Sequence, residues 1–358
     1  MGTLTMPSEQ PEVLFERRGV AGIITLNRPA ALNAVTSVMV GLLHQQLAAW
    51  RDDPAVTRIL LTAAGGRAFS AGGDLRRIYE AARAGRQRDC LDFWREEYRL
   101  NAVIKYYPKP YVALIDGIVM GGGAGVSVHG SHRVAGDKFL FAMPEVGIGF
   151  FPDIGATWFL PRFPGELGAY CALTGERLTP ADGIAAGVAT HRVASRRFGD
   201  LIDALCGAAP LDALLGAFAE PAGQGEVAAR GAAIERLFAG ASVEAILARL
   251  DAEAASASAD AQWAGAVAAT IRTKAPRSLK LALAQVRRGR DWSFADCMRA
   301  EWRIVSRVAY GEDFYEGIRA VIIDKDNRPR WRPADLAGVT QAEVDRHFAA
   351  VADELVLP

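Results

Sequence analysis

The stretch Tyr111-Val112-Ala113-Leu114-Ile115-Asp116-Gly117-Ile118-Val119-Met120-Gly121-Gly122-Gly123-Ala124-Gly125-Val126-Ser127-Val128 holds the fold in compressed form. An apolar, β-branched run, Tyr111 to Ile115, is closed by Asp-Gly, and a glycine cluster then leads into a stretch read as helix. Glycines at such a junction let a ligand oxygen approach the unpaired N–H groups of a helix start, because no Cβ blocks it. They serve equally well as turns that bring a strand and a helix close together. A second cluster, from Ala64 to Asp74 with Gly65, Gly66, Gly72 and Gly73, also follows a strand-like run. Two such clusters in one α/β layer favour the ligand-facing reading.

Outward from this stretch, Val20 to Leu26, Ile59 to Thr62 and Phe139 to Ala142 read as further strands, each ended by Pro, Gly or a polar breaker. Between the first two, Met39, Leu42, Leu43, Leu47 and Trp50 recur at helical spacing behind the cap signal Thr36-Ser37. Strand, helix and strand then repeat from Val13 to about Val193, which predicts an α/β layered core. After Phe198 the text turns to Ala-rich helical periods, with a softer Pro/Gly-containing stretch from Ala217 to Arg230 and no strand expected beyond it. The expected organisation is a core over 1–200 that carries binding and catalysis, and a helical region over 201–358.

Composition narrows the function. The 358 residues carry 41 basic and 41 acidic side chains and no Lys/Arg block, which argues against a nucleic-acid partner. No apolar run approaches the length of a membrane span, and Met1 to Pro7 has neither a secretory nor an Arg-rich transit pattern. Cys90, Cys171, Cys206 and Cys297 fit no CxxC metal spacing and no dense disulfide framework, so free thiols and a cytoplasmic location are expected. There is no GxGxxG and no GxxxxGK[ST]. Gly125-Val126-Ser127-Val128-His129 comes near the GxSxG nucleophile elbow but ends in His, and Ser127 and His129 are read as helix residues.

Three acids stand out. In Phe141-Ala142-Met143-Pro144-Glu145-Val146-Gly147-Ile148-Gly149-Phe150-Phe151-Pro152-Asp153-Ile154-Gly155, Glu145 and Asp153 sit in an otherwise apolar loop. A carboxylate in such company is paired, solvated or kept for use. A helix cap at Asp153 and a solvent-facing position for Glu145 are the structural alternatives. Glu97, within Trp94-Arg95-Glu96-Glu97-Tyr98-Arg99, is expected on a helix, where an exposed ion-paired face is the default.

Taken together, Ala68-Phe69-Ser70-Ala71-Gly72-Gly73-Asp74, the loop from Asp116 to Gly123 and the segment from Pro144 to Gly149 resemble the enoyl-CoA hydratase/isomerase (crotonase) superfamily. Longer matches are similar to its 3-hydroxyisobutyryl-CoA hydrolase branch: Arg95 to Tyr98, Gly121 to Gly130, Phe141 to Gly155, Leu173-Thr174-Gly175 and the tail Phe314 to Asp326. The resemblance runs from about Val13 to about His347. It implies a spiral of ββα turns giving two near-perpendicular sheets, followed by a helical C-terminal part. It also implies a coenzyme A thioester held with its carbonyl oxygen between the N–H groups of Gly73 and Gly122. Glu145 and Asp153 carry over as catalytic residues, and Glu97, Gly122 and Gly73 as substrate-binding ones.

The implied reaction is hydrolysis of a short 3-hydroxyacyl-CoA, with coenzyme A part of the substrate, no separate cofactor and no metal. The partner is then a small molecule, and self-association is left open. Arg28, Arg67, Arg76 and Lys325 are the basic side chains considered for the CoA phosphates. Hydratases of the superfamily use two glutamates, one of them two residues past the last glycine of the GGG run. That position is Gly125 here, which weighs against water addition. A hydratase or isomerase, and a non-catalytic acyl-CoA-binding protein, are the two alternatives.

Overall fold

The computed structural model describes residues 11–358, so the reading of Met1 to Pro7 lies outside the described residues. Among the described residues nine strands form two sheets. The larger has the order β1-β2-β3-β5-β7-β9, from Val13–Arg18 (β1), Ala21–Leu26 (β2), Arg58–Ala63 (β3), Tyr111–Ile115 (β5), His132–Ala135 (β7) and His191–Arg192 (β9). The smaller has the order β4-β6-β8, from Ala68–Ser70 (β4), Ile118–Met120 (β6) and Leu140–Ala142 (β8). Of these strand pairs among the described residues, β1–β2 alone is antiparallel. The chain therefore lays one strand in the large sheet and the next in the small one, three times over: β3 then β4, β5 then β6, β7 then β8. The short connections Asp116-Gly117 and Gly136 to Phe139 make two of these steps.

The expected strands and first helix are present. Helix α1, Ser37–Asp52, begins where Thr36 accepts a hydrogen bond from the Met39 N–H at 3.1 Å, and it buries Met39, Val40, Leu43, Leu47 and Trp50. Leu42 is only partly buried. The central strands β2, β3 and β5 of the large sheet are largely apolar on both faces because both are covered. On one face Ala21, Ile23, Leu60, Val112, Leu114 and Val134 pack with Leu201, Leu205 and Leu215. On the other, Ile24, Leu26, Ile59, Leu61, Ala113 and Ile115 join the main core, which runs from Val13 to Leu355.

Four elements around the site matter below: α2, Leu75–Arg83; α3, Gln87–Lys105; α4, Gly122–Gly125; and α5, Ala156–Phe159. Helix α4 is a single turn, and it corrects the reading of Ser127 and His129 as helix residues. Both lie in the turns that follow it. The Ser127 hydroxyl donates to the Gly123 carbonyl at 2.8 Å, and His129 turns instead to the Ile154 carbonyl. Beyond Phe198 the described residues are helical or irregular, with 219–225 an irregular link between helices.

Candidate active site

The two glycine clusters meet. A Cβ built on Gly72 would lie 3.6 Å from the Met120 carbonyl oxygen and 4.0 Å from the Gly122 nitrogen. Gly121 has φ +45°, a conformation that L side chains rarely adopt, which explains glycine there. A parallel bridge joins Val35 to Gly73, but it uses the Gly72 carbonyl and the Asp74 N–H. The Gly73 N–H is thus outside that ladder, and the Gly122 N–H, as the first of α4, has no intrahelical acceptor. Neither has a hydrogen-bond partner among the described residues.

Gly73, Gly122, Glu97, Glu145 and Asp153 line one cavity of about 370 Å³. All five residues singled out from the sequence therefore come together. The glycines form one wall. Aromatic rings supply another part of the lining, with Trp94 stacked on Phe150 at 5.5 Å and Phe150 against Phe314 at 4.6 Å. Lys274, Phe314, Val321 and Ile322 bring lining from beyond residue 200.

The three acids are buried, which corrects two of the sequence alternatives. Glu145 is 6% exposed instead of solvent-facing, and Glu97 is 2% exposed, while its neighbours Arg95, Glu96 and Arg99 take the ion pairs on the outer face. Asp153 does not cap a helix with its side chain. Instead the Tyr98 hydroxyl donates to its Oδ2 at 2.9 Å. Burial pushes the Glu145 and Glu97 carboxyls well above their ordinary range, and the Asp153 charge adds to both shifts. Burial raises Asp153 to about 7, against the lowering pull of the Tyr98 hydrogen bond. Glu145 Oε2 and Glu97 Oε1 are buried with no partner among the described residues.

Several residues of this region escaped the sequence reading. Tyr98 is fully buried beside Asp153. Glu301, on the helix Phe294–Val308, accepts from the N–H groups of Gly155 and Thr157 at 2.7 and 2.8 Å, and so does the capping that Asp153 does not. Lys274 is mostly desolvated, which lowers its amine from the ordinary value, and it has no ion pair within the described residues. Of the basic candidates, Arg28 is committed to the Ala34 carbonyl and Asp74, and Arg76 reaches the Ile322 carbonyl at 3.4 Å. The four cysteines are unpaired and buried, and burial raises Cys90 to about 11 and Cys297 to about 12, far from a neutral-pH nucleophile.

A family model described as enoyl-CoA hydratase/isomerase matches residues 21–348. The chain belongs to the enoyl-CoA hydratase/isomerase family. A mitochondrial 3-hydroxyisobutyryl-CoA hydrolase of Danio rerio is 44% identical over 344 residues, 95% of this chain and 90% of that protein. Two solved structures superpose over 97% of this chain: a carnitinyl-CoA dehydratase from Mycobacterium thermoresistibile, with TM-score 0.91, 43% identity and 99% of its own chain covered, and an enoyl-CoA hydratase from Rhodobacter sphaeroides 2.4.1, with TM-score 0.89, 38% identity and 100% covered. This member of the enoyl-CoA hydratase/isomerase family thus has the α/β core with helices that the sequence predicted, in the fold that the resemblance implied. Among its described residues no helix is long and apolar enough to cross a membrane.

Within the enoyl-CoA hydratase/isomerase pattern, Gly125 is the informative departure. A Cβ there would lie 2.9 Å from Asn101 Nδ2 and 3.0 Å from Ile154 Cβ. The space for a second glutamate is filled by Asn101 and Ile154, so the departure is built into the packing.

Proposed function

We propose that the protein hydrolyses a short 3-hydroxyacyl-CoA thioester, with 3-hydroxyisobutyryl-CoA giving 3-hydroxyisobutyrate and CoA as the preferred case. The observation that carries this reading is the buried Glu145, with its Oε2 unpartnered, in a glycine-walled cavity, while the Gly125 position is filled by Asn101 and Ile154. One carboxylate and two free N–H groups are what acyl transfer to water needs. A thiol leaves as a thiolate of ordinary pKa about 8.5, so little general-acid help is required. The N–H groups of Gly73 and Gly122 receive the tetrahedral oxygen, each donor worth roughly 10²–10³ in rate at comparable sites.

In its ionised form, which burial disfavours, Glu145 takes the proton of water, or attacks the carbonyl and expels the CoA thiolate to give a mixed anhydride that water opens; both routes start at the same carboxylate. Asp153 accepts the hydrogen bond of the substrate's 3-hydroxyl, and Glu97 orients the attacking water. Coenzyme A is part of the substrate, and the reaction as written uses no separate cofactor or metal. The cavity volume and the wall of Trp94, Phe150 and Phe314 suit a small acyl group. The name of the hydrolase relative points the same way. Four buried thiols fit a reducing compartment such as the cytoplasm, although the hydrolase relative cited above is mitochondrial.

A second reading, water addition to or removal from an acyl-CoA, is favoured by the names of the two solved structures. One assay separates them. Free thiol is followed with 3-hydroxyisobutyryl-, isobutyryl- and crotonyl-CoA, alongside loss of the crotonyl double bond. Thiol release fastest from the first ester is expected, and Glu145→Gln should lower kcat by about 10²–10⁴ with KM little changed. Hydration of crotonyl-CoA without thiol release would overturn the hydrolase reading.

A further inference from the structure

The segment Pro152–Thr157, which presents Asp153, is held from three sides by buried polar side chains. Glu301 Oε2 accepts from the Gly155 N–H and Oε1 from the Thr157 N–H. Gln285 Nε2, on the helix Pro276–Arg288, donates to the Pro152 carbonyl at 2.9 Å and to Thr157 Oγ1 at 2.8 Å. His129 Nε2 lies 2.6 Å from the Ile154 carbonyl, and a carbonyl only accepts, so the ring carries its proton on Nε2. All three side chains are at least nine-tenths buried. Every polar partner they take belongs to the backbone or to Thr157, none to the cavity.

What they hold is an unfavourable conformation. Ile154, next to Asp153, has φ +55°, and a β-branched residue in that region is a true outlier. Such a conformation persists only where its surroundings over-determine it. Helix α5 starts at this turn, and its N-cap, Gly155, has no side chain to satisfy the helix's free N–H groups. Glu301 supplies that from another helix, with one oxygen for each N–H.

We propose that Glu301, assisted by Gln285 and His129, is a positioning residue that fixes the strained Pro152–Thr157 turn and thereby aims the Asp153 carboxylate into the cavity. It does not line the cavity, and its partners are the Gly155 and Thr157 N–H groups. Its effect passes through the backbone to Asp153, whose direction is then finished by Tyr98. The kinetic part of this inference rests on the hydrolase reading, while its structural part does not.

The test is Glu301→Gln in the full chain. The amide keeps the shape but turns an NH₂ against one of the two N–H groups. Amide hydrogen exchange in the peptide covering 152–158 should rise, and kcat for 3-hydroxyisobutyryl-CoA should fall by about 10–100-fold with KM within about threefold, the signature of a misaimed group. A role in stability alone would lower the melting temperature and leave kcat of the folded enzyme unchanged. If Glu301→Gln does not fold, Gln285→Leu loosens the same turn from the other side and is expected to lower kcat in the same way. A folded variant of either kind with kcat within about threefold of the parent overturns the inference. Should the parent release no thiol from any CoA ester, the hydrolase reading fails, and unchanged exchange over 152–158 in a folded variant would then overturn the positioning role on its own.

Discussion

At the scale of single residues, the site is a contest between burial and charge. Glu97, Glu145 and Asp153 line one small cavity, and no arginine or lysine pairs with any of them among the described residues. Desolvation and mutual repulsion both favour protonated forms. Asp153, at about 7, is the one poised to change charge near neutrality. Because this folded value lies above the ordinary 3.8, the group contributes stability that is full below about pH 4 and is lost as pH rises through 7. Tyr98 opposes that shift, since its hydroxyl stabilises the ionised carboxylate. Tyr98→Phe should therefore move the acid limb of the kcat/KM profile upward by about one pH unit, the equivalent of a charge-assisted hydrogen bond at the lower end of its range. The profile over pH 5 to 9 checks this, and a limb that stays in place or moves down would detach Tyr98 from the titration.

At the scale of elements, the glycine loop and α3 are fitted to each other. A Cβ on Gly122 would stand 2.5 Å from Glu97 Oε1 and 3.4 Å from Val35. The need for glycine there comes from the Glu97 side, not from strain, since the positive φ values belong to Gly72 and Gly121. Gly122→Ala should displace the Glu97 carboxylate and lower kcat by at least about tenfold in a folded protein, whereas a parent-like kcat would show that Glu97 is free to give way. Much of this was legible in the sequence, and what was not has a common cause. Strands β4, β6, β7 and β9 span two to four residues, too short for alternation to register. Glu97 and Asn101 lie on the buried stripe of α3 with Cys90, Trp94 and Ile104, and Glu301 lies on that of its helix with Cys297, Met298 and Val305. A polar residue at a buried helical position was the available signal, and reading each acid against its immediate neighbours hides it. The Glu301–Gly155 contact joins residues 146 apart in the chain, a pairing that no local pattern announces.

At the scale of the whole molecule, the C-terminal helices complete both the core and the site. Residues up to 200 contain all nine strands, yet one face of the large sheet is covered by Leu201, Leu205 and Leu215. Each of these leucines is fully buried, a contribution of about 1.5–3 kcal/mol apiece. Without them Ile23, Leu60, Val112, Leu114 and Val134 would face water on a largely parallel sheet, which is stable only when both faces are covered. The same truncation removes Glu301 and Gln285 from the Asp153 turn, where holding Ile154 at positive φ costs of order 1–3 kcal/mol. It also removes Lys274, Phe314, Val321 and Ile322 from the cavity. Losses of that size compare with the whole stability of a domain, about 5–15 kcal/mol. A fragment ending at residue 200 should therefore show no cooperative thermal transition, bind a hydrophobic dye and release no thiol from CoA esters, while the full chain melts in one transition monitored by circular dichroism. A fragment that melts cooperatively and still binds a CoA ester would show instead that the spiral core stands alone and that the helical region is an addition to it.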